Sequence, residues 1–269
     1  MSQQNLSRRA ALRQQQEMEQ KAASRKRILT IGGVIAVIAV LAIIAIVALP
    51  TLFNSGPKDV AEEQVTPPNA SDNFGLYVQG KKPQEGTPHV TIYEDYQCPA
   101  CAARYAQYGE VWQKLVADGK ITVETVTASF MDQHGGDASH RAAMAAAAAD
   151  VVGKYNELHE TIFANQSRYT NKQLREEFPA AAGIEGDELK KYQELYDTSA
   201  TKDFAEGGNQ RFFDEEINST PTYVVNGQRL VFATEDGSEI FIEPTEESFM
   251  AAVNAAENGE DAKSHEPLN

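Results

Sequence analysis

The sequence predicts an α/β domain preceded by a single N-terminal transmembrane helix. Three observations carry that expectation. Residues 28–49 form an apolar run without one charge. From about residue 75 onward, short β-patterned segments alternate with longer helical ones. The only two cysteines of the 269-residue chain, Cys98 and Cys101, stand directly between a β-patterned run and a helical one.

At 1.5 Å per residue the apolar run covers about 33 Å, enough to cross a hydrocarbon core of ~30 Å. Residues 1–27 before it carry seven cations against two anions, while the whole chain stands at −15. The positive-inside rule places this basic tail in the cytoplasm and the acidic remainder outside the plasma membrane. A cleaved signal peptide would show a shorter apolar core and a small-x-small exit. Here the exit, Ala48-Leu49-Pro50, offers no convincing cleavage site. A buried core helix would need a polar face, which the run lacks.

Residues 50–73 carry Pro50, Pro57, Pro67 and Pro68 among polar residues and read as a flexible linker. Residues 74–254 then form one domain, large enough to bury a proper core. Short strands are expected at 75–78 and 90–93. A helix follows over about 99–118, with Gly119 as its C-terminal stop. Residues 121–126 alternate apolar and polar side chains, a further strand. The stretch 138–206 is helical, interrupted near 165–171 and 179–186. Its run Ala142–Ala149 is too short for a bilayer; alanine favours helix and permits close helix packing. Asn226-Gly227, between apolar runs at 222–225 and 230–232, is a strong hairpin signal. Residues 240–242 extend the sheet, and 244–254 close the domain as a helix with Pro244 near its first turn. The polar tail 255–269 is expected to fray.

The chemistry rests on Cys98-Pro99-Ala100-Cys101. A loop this short constrains the unfolded chain by only about 2 kcal/mol, so the pair makes a poor structural staple and reads as a reversible dithiol. A strand-to-helix junction places Cys98 at a helix N-terminus, where free N–H groups and the dipole favour the thiolate. An extracytoplasmic location is one where disulfides persist. Ser219-Thr220-Pro221-Thr222 is the second unusual segment, because a proline opening a strand cannot donate to the ladder. The five histidines are scattered, and a zinc site would need four converging ligands, so neither metal nor cofactor is expected. An acidic chain also argues against nucleic acid as a partner.

Together these segments resemble the DsbA-like thiol:disulfide oxidoreductases of the thioredoxin superfamily, here in a membrane-anchored form. The resemblance covers about 75–254 and rests on Tyr93-Glu94-Asp95-Tyr96-Gln97-Cys98-Pro99-Ala100-Cys101, on Gly153-Lys154-Tyr155 with Leu158-His159 and Ile162-Phe163-Ala164-Asn165-Gln166, and on Ser219 to Gly227. It implies a thioredoxin fold with a helical domain inserted over about 137–208. It also implies that Pro221 is a cis-proline beside the dithiol, with Thr220 facing and tuning the sulfur and the loop binding substrate chain. Cys98 is then the more exposed sulfur of the two, attacked by substrate thiolates, and Cys101 the buried partner.

Pro99-Ala100 departs from the family's pairs with His or Tyr second; alanine offers no side-chain donor, which implies a less oxidising pair. Glu94 and Asp95 are candidate proton acceptors for Cys101, and equally candidates for holding loop structure. His159 is expected to pack, and Trp112, Tyr105 and Tyr108 to line the core. The implied activity is oxidation of reduced exported proteins by a monomer. With no third cysteine, reoxidation calls for a membrane partner of the DsbB or vitamin-K-epoxide-reductase type. A reductase or isomerase kept reduced by a donor, and a non-catalytic binding or chaperone module, stay open at this stage.

Overall fold

Two parallel strands organise the domain. His89–Glu94 (β2) and Thr122–Thr127 (β3) pair in register from His89↔Thr122 to Glu94↔Thr127, joined by the helix Pro99–Ala117 (α1). Their apolar positions Val90, Ile92, Val123 and Val126 are buried, as expected of strands covered on both faces. Leu76–Tyr77 (β1) adds antiparallel to β3, and Thr222–Val225 (β4) adds antiparallel to β2. Gln228–Leu230 (β5) and His265–Pro267 (β6) complete a six-stranded sheet of order β1-β3-β2-β4-β5-β6. The computed structural model describes residues 61–166 and 169–268. The expected cytoplasmic tail, the transmembrane run and residues 50–60 of the linker lie outside the described residues. No described helix is long and apolar enough to cross a membrane.

Between β3 and β4 the chain makes a helical insertion: Ala138–Val151 (α2), Tyr155–Ala164 (α3), a π-helical turn Gln173–Glu177 running into Phe178–Ala181 (α4), Gly186–Asp197 (α5) and Lys202–Asp214 (α6). Every residue of the Ala142–Ala149 run is buried, so α2 is the insertion's central helix and its small side chains let neighbours close in. The last helix, α6, runs to Asp214, past the expected boundary at 208. It ends on the sheet rather than on the insertion. A Cβ at Gly208 would stand 3.1 Å from the Thr127 carbonyl oxygen and 3.2 Å from that of Phe74, so a side chain here would crowd both backbones.

Several expected elements differ. Residues 61–73 of the linker are held rather than free. Ala61 and Val65 donate backbone hydrogen bonds to Thr198 and Ala200, and Ala70 bridges to Leu76. Asn69 donates through its backbone N–H (2.9 Å) and its side chain (2.8 Å) to the two oxygens of buried Asp150. Proline at 67 and 68 stiffens a segment whose polar side chains are specific anchors. The hairpin's second strand begins at 228 rather than 230, because Asn226 (φ 49°) and Gly227 (φ 74°) make a two-residue turn that pairs Val225 with Gln228. Residues 240–242 supply only a bridge from Ile240 to Ala233. The β5 edge is taken instead by β6, from the tail expected to fray. The closing helix also runs on, as Glu246–Asn258 (α7), with Thr245 capping Ser248 N–H and Gly259 (φ 64°) ending it. Ala255 and buried Ala256 favour helix there.

A buried ion pair joins α6 to the sheet. Arg211 donates to Glu124 on β3 (2.7 Å) and to Glu215 (2.7 Å), with its guanidinium over the Tyr93 ring. Burial pushes the Glu124 carboxyl up, but hydrogen bonds from His89, Arg211 and Ser71 outweigh it and hold the group at about 2. Since that value lies below the unfolded one, the stabilisation is fully present above pH 4.5 and is lost as pH falls towards about 2. Arg211→Met leaves Glu124 buried without its cation. It is expected to lower the unfolding free energy by about 3 kcal/mol at neutral pH, measured by chemical denaturation, with the deficit shrinking below pH 4.5.

Candidate active site

Cys98 is the N-cap of α1, with extended backbone (φ −76°, ψ 115°), and Pro99 opens the first turn where its missing N–H costs nothing. The Cys98 carbonyl accepts from the N–H groups of Cys101 (3.0 Å) and Ala102 (3.2 Å), closing the first helical turn. Both cysteines are free thiols, so the structure represents the reduced dithiol. The Cys101 thiol donates towards the Cys98 sulfur and is the largest influence lowering the Cys98 pKa. Burial works against it, while the Thr220 hydroxyl and the N–H groups of Cys101 and Ala100 add to the lowering. The result is a Cys98 thiol brought from 9.0 down to about 5. Cys101 moves the other way: burial first, then the neighbouring Cys98 sulfur, push its thiol far up. One sulfur is therefore a thiolate at neutral pH and the other a thiol.

Thr220 and Pro221 stand across from this pair, joined by a cis peptide bond. When protonated, the Cys98 thiol donates to the Thr220 carbonyl at 3.4 Å. The buried Thr220 hydroxyl has no regular hydrogen-bond partner; it lies near both sulfurs and lowers the pKa of each. Pro221 opens β4, so its missing N–H falls before the first ladder pair, Thr222 with Tyr93. Ala100 contributes only its backbone N–H, since its side chain can donate nothing.

Glu94 and Asp95 are both buried and both engaged. Asp95 accepts from the Gln97 N–H (2.8 Å) and the Ser139 hydroxyl (2.7 Å) on one oxygen and from the Met131 N–H (3.1 Å) on the other. Its backbone carbonyl also receives the Cys98 N–H at 2.9 Å. This geometry makes Asp95 the organiser of the loop that presents Cys98. Burial raises its carboxyl to about 6 despite those donors. Glu94 pairs with His159 of α3, Oε1 to Nε2 at 2.6 Å. The imidazole is packed among Tyr96, Tyr105, Tyr155 and Phe163, so His159 both packs, as expected from the sequence, and holds a buried acid. Trp112 and Tyr108 are buried in the core, and Tyr105 is half-buried at its edge.

Sequence reasoning missed the residues that tie the loop down. The Tyr169 hydroxyl donates to the Tyr96 carbonyl (2.6 Å) and Gln166 Nε2 to the Gln97 carbonyl (2.6 Å). With Ser139 these anchors reach the loop from the insertion, 44 to 73 residues away in the chain. Only Gln166 stood in a recognised segment, and nothing local pointed to its partner. Among the described residues no cluster of His, Cys, Asp or Glu is arranged to hold a metal ion.

A family model described as thioredoxin matches residues 78–244, which span strands β2 to β5, the dithiol and the insertion. The chain belongs to the thioredoxin family. Its structure is similar to MdbA of Actinomyces oris, a thiol-disulfide oxidoreductase, with TM-score 0.56 and 17% identity over 72% of this chain and 91% of that one. MdbA of Corynebacterium diphtheriae, also a thiol-disulfide oxidoreductase, matches with TM-score 0.51 and 19% identity over 64% of this chain and 90% of that one. These likenesses are of fold. No curated protein matches in sequence. The thioredoxin-family domain thus carries a dithiol at a strand–helix junction and a helical insertion between β3 and β4.

The opposed thiols make a direct prediction. Thiolate absorbance should titrate with a midpoint near pH 5 for Cys98, and Cys101→Ala, which removes the strongest donor, should move that midpoint upward. A midpoint near 9 in the unaltered protein would contradict the site as described.

Proposed function

We propose that this protein is an extracytoplasmic thiol:disulfide oxidoreductase, anchored by residues 28–49, that oxidises exported proteins through Cys98 and Cys101. The observation that carries the reading is the pair of opposed thiols facing cis-Pro221: a thiolate favoured at Cys98 and a thiol favoured at Cys101. Because the thiolate exists only in the reduced protein, whatever stabilises it makes the disulfide a stronger oxidant. The sign follows from linkage. Cys98 has a depressed pKa in the folded state, so the added stability of the reduced form is full above pH 9.0 and fades as pH falls through about 5.

The cycle starts from the Cys98–Cys101 disulfide. A substrate thiolate attacks the Cys98 sulfur, and Cys101 leaves, taking up a proton as its high pKa demands. A second substrate thiolate then attacks the substrate sulfur of the mixed disulfide and expels Cys98 as a stable thiolate. Two electrons and one disulfide have changed places. The Thr220–Pro221 loop, across from Cys98, is placed to receive the substrate's extended chain. The described chain holds no third cysteine to accept the two electrons, so a membrane redox partner of the DsbB or vitamin-K-epoxide-reductase type completes the cycle. The two MdbA proteins that share this fold are thiol-disulfide oxidoreductases, which supports this reading.

The test is the redox state of the pair in cells, trapped by acid and thiol alkylation. A mostly oxidised pair is expected. A mostly reduced pair would overturn the oxidase in favour of a reductase or isomerase. Cys101→Ser, which cannot form the disulfide that starts the cycle, should lose oxidation of dithiol substrates, and Cys98→Ala should lose it as well. Full activity of Cys98→Ala would instead indicate a binding module.

A further inference from the structure

A groove of about 200 Å³ runs between α1 and α3, beginning one helical turn beyond the reactive cysteine. Its α1 wall is a single face of the helix: Ala102 is four residues from Cys98, and Tyr105, Ala106 and Glu110 continue the same stripe. Glu160 and Phe163 of α3 form the opposite wall. The floor is aromatic, with the Tyr105 and Phe163 rings stacked at 5.3 Å and 26°. Gln113 donates to the Tyr105 hydroxyl at 2.6 Å and fixes that ring.

The groove's rim is anionic and uncompensated. Glu110 and Glu160 are exposed and form no ion pair among the described residues. Both carboxylates share the groove's lining with the Tyr105 ring, and burial, together with Glu160, Glu94 and Glu110, raises the pKa of its hydroxyl. Cations on α1 are committed elsewhere. Arg104 stacks over Phe232 at 3.8 Å on the other side of the helix, and Lys114 pairs with Asp118 and Glu246. An apolar, aromatic trough with two free carboxylates at its edge has the chemistry for a long cationic side chain: methylenes against the rings, charge between the acids.

We propose that this groove is a specificity subsite of the thiol-disulfide site, taking a lysine or arginine of the substrate polypeptide near its reacting cysteine. The inference rests on the oxidoreductase reading above. The groove extends from about 6 Å to about 18 Å along the helix axis beyond Cys98. At about 3.3 Å per residue an extended substrate chain covers that interval two to five residues from its cysteine.

The experiment uses the full chain, oxidised, and three dithiol peptides that differ only at the fourth residue from one cysteine: arginine, glutamine or glutamate. Single-turnover oxidation of the arginine peptide is expected to exceed that of the glutamine peptide about fivefold, with the glutamate peptide slowest and the preference shrinking in added salt. The double variant Glu110→Gln with Glu160→Gln should lose the preference, oxidising the arginine and glutamine peptides at equal rates. Glu62→Gln with Glu63→Gln changes the net charge equally, outside the groove, and should keep the preference. A preference that survives in the groove variant, or falls equally in the control, would overturn the subsite. The same peptides with serine for cysteine, titrated by fluorescence anisotropy, report groove binding without sulfur chemistry. Equal affinities for the arginine and glutamine forms would overturn the proposal there as well. Loss of all oxidation with the affinity difference intact would instead count against the oxidoreductase reading alone.

Discussion

The four-residue loop from Asp95 to Cys98 is where the structure's other features converge. A thiolate at Cys98 is stabilised only if the sulfur stands at the end of α1, with the Ala100 and Cys101 N–H groups and the Cys101 thiol aimed at it. A loop between a strand and a helix has no ladder of its own to hold that position. Here it is pinned by its own Asp95 carbonyl to the Cys98 N–H, and by Ser139, Gln166 and Tyr169 reaching across from the insertion. The helical insertion thereby acts as the rigid back of the redox loop, and its alanine-rich α2 lets the surrounding helices come close enough to do so.

The same economy of charge appears elsewhere. Buried acids are each answered by specific donors: Glu124 by Arg211, His89 and Ser71, Asp150 by Asn69, Glu94 by His159. An unpaired buried carboxylate would cost more than any of these contacts returns. Against that background Glu110 and Glu160 differ: they stand exposed beside the Tyr105–Phe163 floor and are answered by no ion pair among the described residues. The acidic character of the whole chain then has a local counterpart at the site.

Much of the fold was readable from the chain because its signals are local. The β2–Cys98–α1 order, the Asn226-Gly227 turn and the breaks in the helical insertion each depend on a few neighbouring residues. The hairpin's second strand starts two residues before its apolar run, because a two-residue turn leaves no slack and the polar Gln228 and Arg229 carry no apolar signal. The linker and the C-terminal tail were read by composition. Composition does not reveal that Asn69 has a carboxylate waiting 81 residues away or that residues 265–267 have a sheet edge to join.

By itself the sequence determined the reactive chemistry: two cysteines at a four-residue spacing before a helix, and a Thr-Pro segment opening a strand. Those are matters of spacing and backbone preference, and they survive reading in one dimension. Only the tertiary structure decided that Asp95 holds the loop, that His159 holds Glu94, and that an acid-rimmed groove lies between α1 and α3. Each depends on side chains brought together from distant segments by packing. A hydrogen bond across 44 or 65 residues leaves no period, no propensity and no motif in the chain that makes it.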